Sequence, residues 1–598
     1  MTIPDAKRFP RWRVNFVAGT VLGLWLIVAA RLVHIQHFQA EELSSRARRQ
    51  KSFEVDVPAR PADIVDRNGN LLATTITTPS LFVDPSQFDV DSIFIDDLCG
   101  ILSLDPADIT KRLAEYSAKR FCWIKRRLSE EELTQVIQLE WPDGSYGFRQ
   151  EFLRQYPQGH VAAHVLGLRN IDGVGKGGVE QSLNPLVQGQ PGKRQLVRDA
   201  MGRIVEVSFD PDSEPRRFDA VALTIDLPIQ MVVEKELDRV MQDWNPRAAS
   251  AIVLDPQTGD ILAMSSRPTY SPSELSDVKP EAWKNQAINI VYEPGSTFKP
   301  LVVAWALQHG MIRRDEVFDC ENGKWMMGRR LLNDHHPYGK LSLTDVLVKS
   351  SNIGMAKIGT KMTNEEIFRA TIAFGFGRPT GIDLPGEVSG IVRPLREWNS
   401  YSTGSVPMGQ EIAVTPMQLI AAHASLANGG RLITPQLLRG VRGHGDERDS
   451  PFYTSVDEPG LSMPARLLTR TVDAETAKWV VEEPMTEVVK RGTGQRAKVD
   501  GYEVFGKTGT AQKTDPETGG YSATDYVASF VCGAPARNPR VLVLVVVDEP
   551  APGKSHQGGI VAAPSAARIL RRTLLHLHVS PESDDRAAKR PAENSRAG

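Results

Sequence analysis

At 598 residues, with 41% hydrophobic and 24% charged side chains, the chain has the composition of ordinary globular protein and enough apolar material for several domains. Its 71 basic residues against 73 acidic ones leave a net charge of -2, which gives no electrostatic reason to expect nucleic acid or another polyanion as partner. The cysteines Cys99, Cys122, Cys320 and Cys532 match neither a redox pair nor a zinc-ligand spacing; they read as buried thiols, no metal or cofactor is expected, and Cys99–Cys122 is the one pairing worth checking.

Residues 1–13, expected to be a short cytoplasmic N-terminus, carry Lys7, Arg8, Arg11 and Arg13, and Val14 to Ala30 then carries no charge. That length suits a membrane helix of about 17–25 residues. A cleaved signal peptide is the rival reading, because Val28-Ala29-Ala30 would serve as a cleavage site. The helical pattern continues without a break from Arg31 through Phe38, which favours a retained anchor over 14–35. Arg46, Arg48, Arg49 and Lys51 follow the span, so charge alone does not orient it.

Asn68-Gly69, between the apolar runs of Asp63 to Ala73, is a hairpin signal. From there to about residue 218 short strands alternate with polar helices, and glycines such as Gly173, Gly175, Gly177 and Gly178 read as tight turns of a structural module. A second region opens with a strand over Ala222–Asp226 and a helix over Leu227–Met241. Ser250–Leu254 and Asp260–Met264 form a hairpin around Asp255-Pro-Gln-Thr-Gly259. Three more strands follow much later, over Glu503–Gln512, Tyr526–Cys532 and Arg540–Val547, the last so rich in Val and Leu that both its faces should be covered. Helical patterns lie between these sets. The expected fold class is therefore α+β, an antiparallel sheet assembled from distant parts of the chain with helices packed on it. From residue 578 the polar composition suggests a disordered tail.

The spacing Ser-x-x-Lys is weak alone, and the chain holds a decoy in Ser276-Asp-Val-Lys279, which lies in a Pro- and Ser-rich loop. Ser296-Thr-Phe-Lys299 follows the turn Pro294-Gly295 and opens an apolar helix over Thr297–Gln308, closed by Gly310. A serine there is either a plain N-cap or a nucleophile placed where backbone N–H groups favour developing negative charge. Two further motifs decide for the second. Ser350-Ser-Asn352 lies near the end of a helix starting at Thr344, and Lys507-Thr508-Gly509-Thr510 lies on a strand. The last pattern has a chance expectation of order one in a hundred in a chain this long. A serine hydroxyl needs a neighbour to take its proton, and a neutral Lys299 could do so if burial and a Lys507 cation depress its pKa. Ser350 can pass the proton on, and Asn352 suits a substrate amide. Lys507 with the Thr508 and Thr510 hydroxyls suits a carboxylate, while Gly509 leaves the strand open to an extended peptide. The N–H groups of Ser296 and Thr510 would hold the oxyanion.

The order Ser-x-x-Lys, Ser-x-Asn, Lys-Thr-Gly is that of penicillin-binding proteins and class A β-lactamases. Beyond it, residues 50 to 575 resemble class B penicillin-binding proteins. The likeness is carried by Ala251-Ile-Val-Leu-Asp-Pro-Gln-Thr-Gly259, Gly409-Gln-Glu-Ile-Ala-Val-Thr-Pro-Met-Gln418, Ser529-Phe-Val-Cys-Gly-Ala-Pro535 and Gly558-Gly-Ile-Val-Ala-Ala-Pro564. In the N-terminal part it rests on Arg154-Gln-Tyr-Pro157, Gly177-Gly-Val-Glu180 and Asp199-Ala-Met-Gly-Arg203. The resemblance implies a serine β-lactamase/D,D-transpeptidase-like domain over 219–577, with helices on both sheet faces, after an elongated pedestal (dimerisation-type) domain over 50–218 and one membrane helix. It implies a serine D-Ala-D-Ala transpeptidase outside the cytoplasmic membrane, with peptidoglycan stem peptides as substrate and β-lactams as inhibitors. A membrane glycosyltransferase and divisome proteins would be partners. Ser-Ser-Asn resembles the cell-division (septal) members. An elongation or sporulation role, a D,D-carboxypeptidase, a β-lactamase and a non-catalytic β-lactam sensor are the alternatives. One departure stands out: the family usually has Arg-Gly where this chain has Pro61-Ala62, which puts its pedestal salt bridge to Glu180 in question.

Overall fold

The computed structural model describes residues 11–43, 52–88, 90–198, 204–208, 215, 217–443, 469–515 and 519–582. The basic residues of 1–10 and 44–51, the Asp199–Arg203 motif and the tail beyond 582 lie outside them. The chain divides into two units, 1–59 with 189–217, and 60–188 with 218–598.

In the first unit, helix α1 (Arg11–Val33) runs on through a π-helical turn, His34–Phe38. Arg11–Phe38 is long and apolar enough to cross a membrane, and none of its most apolar stretch is buried. The same unit holds a three-stranded antiparallel sheet in which Gly192–Arg198 lies between Ser52–Val57 and Ile204–Ser208.

The second unit begins with β1 (Asp63–Val65) and β2 (Leu71–Val83), joined by the Asn68-Gly69 turn. Strand β2 pairs with β3 (Tyr146–Gln155), and Leu81, Val83, Cys99, Leu102, Ile109, Cys122 and Ile124 share one apolar core beside it. Cys99 and Cys122 both contribute to that core as free thiols, so the pairing considered from sequence is absent. Burial pushes both thiols up, which removes the thiolate that disulfide exchange needs.

The Glu180 question resolves through other residues. Arg60 pairs with Asp63 at 2.8 Å instead. Glu180 is fully buried between Arg154 and Arg169, each with its Nε at 2.6 Å from a carboxylate oxygen. Arg154 also donates from Nη1 to the Ala62 carbonyl at 2.7 Å and to Thr75 Oγ1 at 2.9 Å. The segment without the usual arginine is thus pinned by an arginine from β3.

After β4 (Phe218–Leu223), helix α2 (Leu227–Trp244) leads into β5 (Ala248–Leu254) and β6 (Ile261–Arg267). The β4 strand stops before the expected Asp226 because that side chain has left the sheet to cap α2, accepting from the Ile229 N–H at 3.3 Å. Helices α3 (Lys299–Gln308), α4 (Leu343–Val348), α5 (Asn352–Ala373) and α6 (Pro416–Ala427) follow. The remaining strands of the main sheet come last: β7 (Phe505–Thr514), β8 (Tyr521–Ala534) and β9 (Val541–Asp548), then α7 (Ala563–His576).

The main sheet is antiparallel throughout, in the order β6-β5-β9-β8-β7. As the composition of β9 demands, it is covered on both sides. Val543, Val545 and Val547 pack with Val233 and Leu237 of α2 and Ile569 and Leu570 of α7. Leu542, Leu544 and Val546 join the other core, with Leu301 of α3 and Ile420 of α6. The α+β fold with helices on both faces is therefore present, and it leaves β7 as an open sheet edge.

Replacing Glu180 by Ala would leave two buried guanidiniums facing each other. Denaturant unfolding should show a loss of about 3–5 kcal/mol, whereas Asp63→Ala at the half-exposed Arg60 pair should cost at most about 1 kcal/mol.

Candidate active site

Ser296 sits in a 3-10 turn, Gly295–Phe298, that runs directly into α3, so Lys299 is the first α-helical residue rather than Thr297. The turn is held from several sides. The Gly295 N–H donates to the Gly409 carbonyl at 3.0 Å. A Cβ on Gly409 would lie 2.1 Å from the Gly295 oxygen, so this approach requires glycine. His423 Nε2 meets the Thr297 carbonyl at 2.9 Å, and burial lowers the His423 pKa to about 4, so the neutral ring donates here. Ser296 itself is half-buried, and its hydroxyl makes no hydrogen bond within the described residues.

The second motif lies between two helices, with only Asn352 on one of them. Helix α4 ends at Val348, Ser350 takes a left-handed φ of 57°, Ser351 caps α5, and Asn352 begins it. The third motif lies on β7 as expected. Gly509 stands opposite Ser529 of β8, and a Cβ there would be 2.2 Å from Ser529 Oγ and 2.9 Å from Thr297 Cγ2. The turn of Ser296 therefore packs directly on Gly509, and the Thr510 carbonyl lies 3.1 Å from where a Gly295 Cβ would be.

Lys299 and Lys507 are both fully buried, and their head groups converge on one hydroxyl. Lys299 Nζ donates to Ser350 Oγ at 3.3 Å, to the Ser350 carbonyl at 2.7 Å and to Asn352 Oδ1 at 2.8 Å. Lys507 Nζ donates to the same Ser350 Oγ at 2.9 Å and to Thr508 Oγ1 at 3.4 Å. Burial brings Lys299 down to about 7, with Asp334 pulling the other way. Lys507 is pushed well below the ordinary lysine value, first by burial and then by Lys299. The repulsion expected to act on Lys299 is thus felt chiefly at Lys507, and burial is the main cause at both.

Asn352 is more committed than its sequence suggests. Its Oδ1 is taken by Lys299, and Nδ2 donates to the Asn333 carbonyl at 3.3 Å, which leaves one amide hydrogen for a ligand. Thr510 Oγ1 accepts from the Gly558 N–H at 3.1 Å. All eight residues singled out from sequence are therefore assembled in one region, Ser296 through its turn against Gly509 and the rest through these bonds. Sequence reasoning missed three supports: Thr493, whose Oγ1 lies 2.8 Å from Thr508 Oγ1, His423, and Asp334. The decoy Ser276 is exposed, bonded only to Asp277.

Residues 249–571 match the penicillin-binding protein transpeptidase domain, and 56–217 match the penicillin-binding protein dimerisation domain. This chain is a class B penicillin-binding protein. It is similar to stage V sporulation protein D of Bacillus subtilis, at 31% identity over 96% of this chain and 87% of that one. It is also similar to the peptidoglycan D,D-transpeptidase FtsI of Escherichia coli, at 30% over 97% and 94%. Among solved structures, the penicillin-binding protein 3 of Mycobacterium tuberculosis in complex with aztreonam matches with a TM-score of 0.67 and 27% identity, over 88% of this chain and 98% of that one. All eight site residues of this penicillin-binding protein fall inside its transpeptidase match.

Proposed function

We propose that this penicillin-binding protein cross-links peptidoglycan stem peptides at the division septum, as a serine D,D-transpeptidase. The observation that carries the chemistry is the convergence of buried Lys299 and Lys507 on Ser350 beside the turn of Ser296. Lys299, its pKa brought down to about 7 by burial, takes the Ser296 proton as Oγ attacks the carbonyl of the penultimate D-Ala. The N–H groups of Ser296 and Thr510 receive the oxyanion. Ser350 relays the proton to the nitrogen of the terminal D-Ala, the C–N bond breaks, and D-Ala leaves as the amine. Lys507, Thr508 and Thr510 hold its carboxylate, and the donor peptide lies along the open edge of β7 past Gly509. An amine of a second stem then displaces Ser296, and β-lactams acylate the same oxygen.

The septal assignment draws on the full-length likeness to FtsI and on the Ser350-Ser-Asn352 form of the second motif. The comparable likeness to a stage V sporulation protein makes a sporulation role the second reading. Because peptidoglycan lies outside the membrane, the chain beyond about residue 35 belongs on that side, anchored by α1, where a membrane glycosyltransferase and divisome proteins would be its partners.

Fluorescent penicillin followed by mass spectrometry should place one adduct on Ser296. Ser296→Ala should abolish labelling and Ser276→Ala should leave it intact, with the reverse pattern contradicting the choice of nucleophile. Depletion of the protein should produce filaments with blocked septa. Normal division with a defect confined to spore formation would support the second reading instead, and rounded cells would point to elongation.

A further inference from the structure

The acceptor that organises the site belongs to none of the three motifs. Asp334 follows the hairpin formed by Lys324–Met327 and Arg330–Asn333, and its backbone N–H is fixed to the Gly323 carbonyl at 3.0 Å. Its carboxylate faces the start of α5. Oδ1 accepts from the Asn352 N–H at 2.5 Å and from the Ile353 N–H at 3.1 Å, and Oδ2 accepts from Ser351 Oγ at 2.6 Å. Ser351 Oγ in turn accepts from the Gly354 N–H at 2.9 Å. Three otherwise unpaired N–H groups of the first turn are thus satisfied by one aspartate and the serine it holds. The loop so fixed is the one that carries Ser350 in its left-handed conformation, a geometry that costs free energy for a residue with a Cβ and needs enforcement from its surroundings.

We propose that Asp334 is a positioning residue for acyl transfer, clamping the start of α5 so that Ser350 stays between the two lysines. The inference rests on the acyl-transfer reading above and deepens it. Burial alone would drive Lys299 further down, and a base too weakly basic takes up a proton poorly. The Asp334 carboxylate opposes burial, and the two together bring Lys299 to about 7, where it can both accept the Ser296 proton and release it. The charged or titratable groups that act on this ammonium are few. Lys507 approaches from β7 and Asp334 from the hairpin, and His335 is coupled to Lys299 from the same loop. His423 of α6 acts at one remove, through Lys507. Burial, and then Lys299, hold His335 below its ordinary value of 6.5, and burial takes His423 down to about 4.

The test uses the full-length protein in detergent and measures the second-order rate constant of penicillin acylation from pH 5 to 9 for wild type, Asp334→Asn and Asp334→Ala. Asn keeps an oxygen for the two N–H groups and loses the charge. Its acid limb should therefore move down by about one pH unit, since removing an opposite charge lowers the lysine pKa. Ala removes the clamp as well and should lower the rate about tenfold or more across the whole range. A limb that stays in place in Asp334→Asn would refute the electrostatic role, and wild-type rates in Asp334→Ala would refute the clamp. Should the Ala protein fail to fold, Ser351→Ala, which removes the arm of the clamp on Oδ2, replaces it, with a lowered rate expected and a wild-type rate refuting the clamp. Failure of the underlying reading would look different, because wild type itself would then not be acylated at Ser296.

Discussion

Two lysine head groups with no exposure to solvent share a single serine hydroxyl, and much of the surrounding architecture can be understood as what that arrangement requires. An ammonium taken out of water loses several kcal/mol of solvation unless hydrogen bonds replace it. Lys299 recovers part of that from two carbonyls, Ser350 Oγ and Asn352 Oδ1, and Lys507 from Ser350 and Thr508. Neither has a carboxylate in direct contact, so the neutral form is the cheaper one, and two cations sharing one acceptor disfavour each other further. The protein thereby obtains a lysine whose pKa is brought down to about 7 without any exotic group.

Such a site tolerates little movement, and the fold supplies rigid mounts for each part. Lys507 and Gly509 are on an edge strand paired with β8, and β8 and the next strand inward, β9, are packed on both faces. Ser296 and Lys299 enter through a turn tied to Gly409 and His423 and braced by Thr297 Oγ1, which donates to the Pro294 carbonyl. The Ser350 loop has no sheet or long helix of its own, and it depends on Asp334. A close approach at Gly509 brings β7 and the Ser296 turn together and one at Gly409 seats that turn, because neither position has room for a side chain, while Ser350 is joined to both through the two lysines.

The three motifs were legible in the sequence because each is local and the three occur in order, whereas Ser-x-x-Lys by itself also picks out the exposed Ser276. The main sheet was legible from the apolar runs of β5, β6 and β9. Its polar ends were not. Strand β8 begins at Tyr521 and β7 runs to Thr514, past the apolar stretch, where Lys513 pairs with Asp548 and Glu549. Asp334 was invisible for a different reason. It stands eighteen residues before Asn352, and only the return of an intervening hairpin aims it at that helix. Arg154 is similar: it lay within a motif already noted, yet its hold on Ala62 and Glu180 follows from β3 pairing with β2, which sets Arg154 opposite Thr75. Partners separated by a long stretch of chain are set by topology, which short patterns do not encode.

The central claim is that burial turns Lys299 into a base near neutral pH. The pH dependence of acylation of the wild-type protein by a non-ionising β-lactam tests it most directly. The account predicts a rate constant that falls tenfold for each unit below about pH 7 and levels off above it. A limb centred near pH 10, the value of an ordinary exposed lysine, would contradict it.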